Sequence, residues 1–178
     1  PAVVQSFCDN RDIRKSQVIL DELIVTLKDD FSKYKKHSPV LKLQEVFQSI
    51  AFQTGSKFKY SRVSQLEPQY KYKNSLELLV SAGLAYKCYH TSANGIPLGG
   101  QVNPKKFKVM LLDTGLYQRI AGLDLSNHLI KTDKDLINKG VLAELFTGLE
   151  LIAHSSSHMR PQLYYWHRET KSSNAELD

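Results

Sequence analysis

A chain of 178 residues with 42% hydrophobic and 24% charged side chains has an ordinary globular composition and is long enough to bury a core. Its two cysteines are too few for a disulfide framework or a zinc cluster, and no apolar run has the length of a membrane span. We therefore expect a cytoplasmic protein with reduced thiols and no membrane partner.

The net charge of +6 is concentrated in the middle of the chain. Residues 28–108 contain 14 Lys and Arg against 5 Asp and Glu. A segment this basic favours a polyanionic partner, and nucleic acid is the first candidate. A lysine-rich surface that only interacts with solvent is the alternative.

Two amphipathic helices are predicted in the first third of the chain. Residues 1–10 read as the tail of an earlier element, and Pro1 in place of Met suggests a piece of something larger. Residues 12–35 predict one long helix, because apolar side chains recur at three- and four-residue steps: Leu20, Leu23, Ile24, Leu27, Phe31 and Tyr34. A second helix begins at Pro39 and ends at Gly55. Its apolar stripe comprises Leu43, Val46, Phe47, Ile50 and Ala51.

Residues 57–73 form a short segment in which basic and aromatic side chains alternate. Lys and Arg neutralise phosphates, and exposed tyrosines stack on the bases of a single strand. The candidate nucleic-acid-binding residues are Lys57, Lys59, Arg62, Lys71, Lys73, Tyr60 and Tyr72, with Tyr70 as a further stacking residue.

The order of the next elements is typical of a winged helix. Asn74 and Ser75 are predicted to cap a helix that Gly83 ends. Residues 84–90 and 106–112 read as two strands joined by a loop rich in Gly, Pro and Asn. A helix, a short segment, a second helix and a two-stranded hairpin follow one another as in a winged helix. Asp113 then reads as the N-cap of a further helix, with a catalytic carboxylate as the alternative.

A helix and two strands are predicted after residue 123. Residues 140–153 carry apolar side chains on one side, and residues 163–167 and 175–178 are strand-like. Glu144 lies at the edge of the buried helix face, and Asp178 ends the last strand. Together they offer the oxygen ligands that Mg²⁺ prefers. Two exposed carboxylates without a metal are the alternative.

Several stretches carry a family resemblance, and together they cover nearly the whole chain. They are residues 1–4, 30–34, 106–116, 140–144, 163–166 and 175–178. In their order and spacing they resemble the C-terminal domain that follows the AAA-type ATPase module in a family of bacterial and archaeal ATPases. The resemblance implies an upstream ATPase module, a winged-helix-like unit and then a restriction-endonuclease-like unit.

The resemblance also implies roles for two carboxylates. A restriction-endonuclease-like site uses a helix Glu, a strand Asp and a downstream Glu-x-Lys, and Glu144 and Asp178 match the first two. This sequence ends before a Glu-x-Lys, so we expect an incomplete and inactive nuclease-like unit. It also has no phosphate-binding loop. ATP and Mg²⁺ would therefore belong to the full-length protein, and this part would hold no cofactor.

We accordingly expect an α+β fold in three parts. Residues 1–37 would form a linking helix region, residues 38–123 a winged-helix-like domain, and residues 124–178 the start of a restriction-endonuclease-like α/β unit. The expected role is nucleic-acid association in the C-terminal part of an AAA-type ATPase. The alternatives are a metal-dependent nuclease domain that lacks its C-terminal part and a protein-interaction module.

Overall fold

The computed structural model describes residues 2–65, 67–123, 139–169 and 174–177. The chain has an α+β fold, as predicted. The helices are α1 (Ala2–Asn10), α2 (Ile13–Asp30), α3 (Val40–Gln53), α4 (Tyr70–Ser81), α5 (Thr114–Ile120) and α6 (Lys139–Ala153). The strands are β1 (Ala85–Thr91), β2 (Val102–Leu111), β3 (Leu163–Glu169) and β4 (Asn174–Leu177). None of the helices in these ranges has the length and apolarity that crossing a bilayer requires.

The predicted long helix over residues 12–35 is shorter in the structure. Asp12 caps α2 by accepting a hydrogen bond from the backbone N–H of Arg14 at 2.8 Å. The helix ends at Asp30 and tightens into a 3₁₀ turn over Phe31–Tyr34. Phe31 leaves the helix to pack edge-on against Phe47, with the ring centroids 5.6 Å apart. This turn removes Tyr34 from the predicted buried stripe. Leu23, also predicted to be buried, is likewise exposed.

Helix α3 supplies the centre of the core, as its sequence predicts. Its five predicted stripe residues are all buried, and Gly55 follows the helix with φ of +79°. Only glycine adopts this left-handed conformation without strain, which explains why the helix ends here. Arg119 of α5 forms a two-pronged ion pair with Asp21 of α2 and ties these helices together.

The four strands form one mixed sheet in the order β2-β1-β3-β4. Strands β1 and β2 pair antiparallel, which confirms the predicted hairpin, although β2 begins at Val102 and not at residue 106. Strand β3 lies parallel to the other edge of β1, and β4 pairs antiparallel with β3. The two predicted C-terminal strands are therefore present, and they extend the sheet of the hairpin.

The two faces of the sheet are covered by different helices, because side chains alternate along a strand. Phe107, Val109 and Leu111 belong to the core cluster that includes the stripe of α3. Met110 faces the opposite way, towards α6. At that contact a Cβ on Gly148 would lie 2.6 Å from the Met110 sulfur, so the glycine allows the helix to approach the strand closely. Strand β2 therefore contacts both α3 and α6.

The division of the chain at residue 123 stays a prediction, because residues 124–138 are outside the described ranges. The structure adds that α6 and β3 pack directly on the hairpin. Leu145 of α6 belongs to the same core cluster as Val109 of β2. The predicted C-terminal unit and the hairpin therefore share a hydrophobic core.

Candidate nucleic-acid interface

Hydrogen bonds hold the backbone between α3 and α4, the segment that carries several of the basic side chains. The side-chain amide of Gln53, itself only 2% exposed, donates to the carbonyl oxygen of Lys59 at 3.1 Å. The N–H of Lys59 donates back to Gln53 Oε1 at 2.8 Å. The N–H of Phe58 donates to the carbonyl oxygen of Phe107 at 2.9 Å. These bonds fix the peptide while the side chains of Lys59 and Arg62 are exposed to solvent.

The aromatic side chains of this segment pack against each other. The Phe58 and Tyr60 rings meet edge to face with centroids 5.3 Å apart, and Phe107 of β2 stacks on Phe58 at 6.0 Å. Burial raises the pKa of Tyr60 to about 12, and the nearby charges of Glu77 and Tyr89 add to the shift. The Tyr60 ring is thus partly buried by packing contacts.

The prediction that Tyr72 stacks on a base is wrong, because α4 begins four residues before the predicted cap. Tyr72 lies one turn before Leu76 and two before Leu79 on the buried side of the helix, and it is 1% exposed. Its hydroxyl donates to Glu45 Oε2 at 2.8 Å. Ser75 is buried as well and shares a 2.7 Å hydrogen bond with the Ser38 hydroxyl, so it is not a cap.

The exposed side of α4 carries the residue types of a nucleic-acid surface. Tyr70 is 74% exposed, and Lys73, Asn74 and Glu77 follow it at helical spacing on the same side. Glu77 is paired with Lys87 of β1. Lys73 has no carboxylate within ion-pair distance in the described part of the chain. Its charge is therefore available to an external anion.

Lys71, another predicted binding residue, is paired with a carboxylate. Its ammonium lies 2.7 Å from Glu67 Oε2, and the same oxygen lies 3.9 Å from the ammonium of Lys42. The hydrogen bond lowers the pKa of Glu67 and raises that of Lys71. Lys57 occupies a different position, since its backbone forms an isolated antiparallel bridge with Lys108 and its side chain is half-buried. The five predicted cations therefore fall into different environments.

Comparison with protein-family models gives a match over residues 1–127, to the family described as Domain of unknown function (DUF8612). The chain belongs to this family. The DUF8612 match contains α1 to α5, the hairpin and every predicted nucleic-acid-binding residue, whereas Glu144 and Asp178 lie beyond it. Comparisons with curated proteins and with solved structures found no match.

Glu144, which follows the DUF8612 range, makes a contact that the sequence did not predict. Lys108 of β2, 3% exposed, donates from Nζ to Glu144 Oε1 at 2.8 Å and lies 5.1 Å from the ring centroid of Tyr165. The two charged residues are 36 positions apart, so no local pattern could indicate the pair. The pair joins β2, which lies inside the DUF8612 range, to α6, which follows that range.

Of the two predicted magnesium ligands, only Glu144 lies among the described residues. Within the described ranges, no three His, Cys, Asp or Glu side chains are placed to hold a metal. One oxygen of Glu144 already accepts a hydrogen bond from Lys108. Asp178, the other predicted ligand, lies outside the described residues, so the predicted catalytic pair stays a prediction.

Proposed function

We propose that this chain associates with nucleic acid through the exposed side of α4 and the segment before it. The observation that carries the proposal is the set of three exposed cations, Lys59, Arg62 and Lys73, which have no carboxylate partner among the described residues. Arg62 lies in a 3₁₀ turn, Lys73 lies in α4, and the Lys59 backbone is hydrogen-bonded to Gln53. Little backbone entropy is therefore lost when these residues bind phosphates. Exposed Tyr70 adds a ring that can contact a base or a sugar.

A winged-helix arrangement supports the same proposal. In that arrangement a short strand after the first helix pairs with the last strand, and the helix before the hairpin contacts the nucleic acid. The bridge between Lys57 and Lys108 and the hydrogen bond from the N–H of Phe58 to the carbonyl oxygen of Phe107 support such an arrangement here. In this proposal α4 has the role of the recognition helix, and β1 and β2 have the role of the wing.

The resemblance described above supplies the proposed cellular context. We propose that the chain is the C-terminal part of a cytoplasmic AAA-type ATPase. ATP and Mg²⁺ would bind in the upstream module, because this sequence has no phosphate-binding loop. In that context the chain positions a nucleic acid while the ATPase module hydrolyses ATP. The chain by itself neither hydrolyses ATP nor cuts DNA.

The proposal is tested by the salt dependence of binding. Each neutralised phosphate contributes about 0.7 to 0.9 to the slope of log affinity against log salt. We therefore expect the triple variant Lys59→Ala, Arg62→Ala and Lys73→Ala to flatten the slope by about two to three. The measurement is fluorescence anisotropy with labelled single- and double-stranded oligonucleotides between 50 and 300 mM salt.

A matched variant controls for the loss of overall charge. Lys28→Ala, Lys35→Ala and Lys36→Ala also removes three positive charges, but around the end of α2. The slope of this control should stay within one unit of the slope of the unaltered chain. Equal slopes for both triple variants would contradict the proposed interface. Absence of binding by the unaltered chain at the lowest salt would instead favour the protein-interaction alternative.

A further inference from the structure

A cleft opens between the outer face of α3 and the segment that follows this helix. Its volume is about 470 Å³, which is within the usual range of small-ligand sites. One wall includes four side chains of α3, because residues three and four positions apart share one side of a helix: Glu45, Gln48, Ser49 and Phe52. Residues 61–63 and Gln65 line the other wall. The cleft therefore includes Arg62, one of the three cations of the proposed interface.

Hydrogen bonds from one buried side chain hold the two walls together. Gln53 also lines the cleft, and both ends of its amide bind the backbone of Lys59. Gln53 Nε2 also donates to the hydroxyl of Ser49 at 2.9 Å. The 3₁₀ turn that ends at Arg62 begins at the next residue, Tyr60. The shape of the cleft is thus fixed in advance, so a ligand loses little entropy to ordering the protein.

The ring of Phe52 gives the cleft an exposed aromatic wall. Phe52 is 62% exposed, whereas phenylalanine is among the residues most often buried. It lies one turn after Gln48 and outside the apolar stripe that α3 buries in the core. An aromatic face left open beside polar groups is a platform on which a flat ligand ring can stack, and every nucleobase has such a ring.

Polar groups beside the ring can bind the edge of a flat ligand. Glu45 Oε2 accepts the hydroxyl of Tyr72 at 2.8 Å, and Glu45 Oε1 has no hydrogen-bond partner among the described residues. Ser49 is 6% exposed, and no acceptor in the described part of the chain takes its hydroxyl proton. The exposed amide of Gln48 adds donors and an acceptor. The cleft therefore offers a carboxylate acceptor next to several uncharged donors.

The two charged side chains of the cleft do not neutralise each other. Glu45 and Arg62 both line it, yet within the described ranges neither forms an ion pair. A complementary ligand has an anionic group for the guanidinium, hydrogen-bond donors for the carboxylate and a flat ring between them. A nucleotide combines these three parts, because its base carries the donors and its phosphate carries the charge.

We propose that this cleft binds one unpaired base of a nucleic acid, which stacks on Phe52 and donates its exocyclic amino group to Glu45, while Arg62 binds the adjoining phosphate. Adenine, cytosine and guanine carry such an amino group, whereas thymine does not. Bases in loops, bulges and ends are the ones that proteins bind by stacking and by edge contacts. The inference rests on the proposed nucleic-acid association and adds its substrate class, a strand with an unpaired amino-bearing base.

The experiment compares short DNA duplexes that differ only at one bulged nucleotide, which is cytosine, thymine or an abasic sugar. The three probes carry the same phosphates, so any difference in affinity reports contacts with the base. We expect the cytosine bulge to bind about tenfold more tightly than the abasic bulge. The thymine bulge should lie between them, because thymine stacks but has no amino group. Fluorescence anisotropy at one fixed salt concentration measures the three affinities.

Two variants assign the base contacts to the cleft. Phe52→Ala should remove most of the advantage of cytosine over the abasic sugar. Glu45→Gln should make the thymine bulge bind at least as tightly as the cytosine bulge, because an amide can donate to the thymine O4. Leu41→Ala is the matched control, since Leu41 is 65% exposed on α3 and lies outside the cleft lining. This control should keep all three affinities. Circular dichroism should be unchanged for the Phe52 and Leu41 variants, because both side chains are exposed.

The outcomes separate this inference from the proposed function. If the three duplexes bind equally and the triple variant of Lys59, Arg62 and Lys73 weakens all of them, the base site is overturned while nucleic-acid association stands. If the preference for cytosine survives in Phe52→Ala, the base binds elsewhere and the inference is wrong. If no oligonucleotide binds, the inference and the proposed function are both overturned.

Discussion

The ammonium of Lys108 on β2 donates a 2.8 Å hydrogen bond to the carboxylate of Glu144 on α6, and the lysine side chain is almost completely buried. A buried charge without its partner is costly, whereas the intact pair compared with two apolar residues is close to neutral. We therefore expect the pair to affect the position of α6 on the sheet more than the stability of the whole fold.

Removing one member of this pair should destabilise the protein, and removing both should not. We expect Glu144→Ala to lower the free energy of unfolding by about 3 kcal/mol, because the buried ammonium of Lys108 loses this carboxylate. The double variant Lys108→Met with Glu144→Leu should recover most of that loss. Urea denaturation followed by circular dichroism measures all three proteins. A double variant that is less stable than Glu144→Ala would contradict the argument.

Variants of Tyr72 and Tyr70 should affect folding stability and nucleic-acid binding separately. Tyr72→Phe removes the hydrogen bond to Glu45 and should cost about 1 kcal/mol of unfolding free energy, with nucleic-acid affinity unchanged. Tyr70→Ala alters an exposed side chain, so stability should change by less than about 0.5 kcal/mol while affinity falls severalfold. Thermal unfolding and anisotropy titration give the two readouts. The reverse pattern would mean that the buried ring reaches the ligand.

Glu67→Gln should strengthen binding by releasing Lys71 from its ion pair. The freed ammonium can contact a phosphate, so the slope of log affinity against log salt should steepen by about one. The double variant Glu67→Gln with Lys71→Ala has the charge of the unaltered chain and should return to its slope. If Glu67→Gln alone has no effect, Lys71 lies outside the interface.

The raised pKa of Tyr60 predicts that the folded chain loses stability at high pH. Its pKa is raised from 10 to about 12 in the folded chain, so the folded state keeps the phenol neutral where the unfolded state already ionises it. The contribution is complete below about pH 10 and disappears as the pH rises through about 12. Tyr60→Phe cannot ionise, so its unfolding free energy should decline less over this window. Parallel pH profiles for the two proteins would rule out Tyr60 as the source.

Local chemistry made several elements predictable. Asp113 caps α5 as expected and accepts a hydrogen bond from the N–H of Leu116 at 2.8 Å, because a carboxylate just before a helix can pair with the free N–H groups of its first turn. Gly83 ends α4 with φ of +73°, as its position after an apolar stripe indicated. The hairpin was predictable for the same reason, since its strands carry clear apolar patterns on either side of a loop rich in Gly and Pro.

The prediction of the site was weaker, because it depended on contacts between distant residues. A tyrosine between two lysines looks like a surface residue until the helix is known to begin at Tyr70, and then Tyr72 falls on the apolar stripe. Lys108 offered no local sign that it meets Glu144. The cleft beside Phe52 likewise depends on the packing of residues 61–65 against α3, which no local pattern indicates.

The parallel ladder between β1 and β3 joins Cys88 to Leu163, which are 75 positions apart. During synthesis the hairpin can therefore form long before its second edge is covered. Until β3 arrives, β1 presents an open row of backbone N–H and C=O groups, which is the kind of edge that recruits strands from other chains. Slow synthesis of the C-terminal part, or proteolysis before Leu163, should therefore expose the edge of β1. This interior strand would then become a site of aggregation.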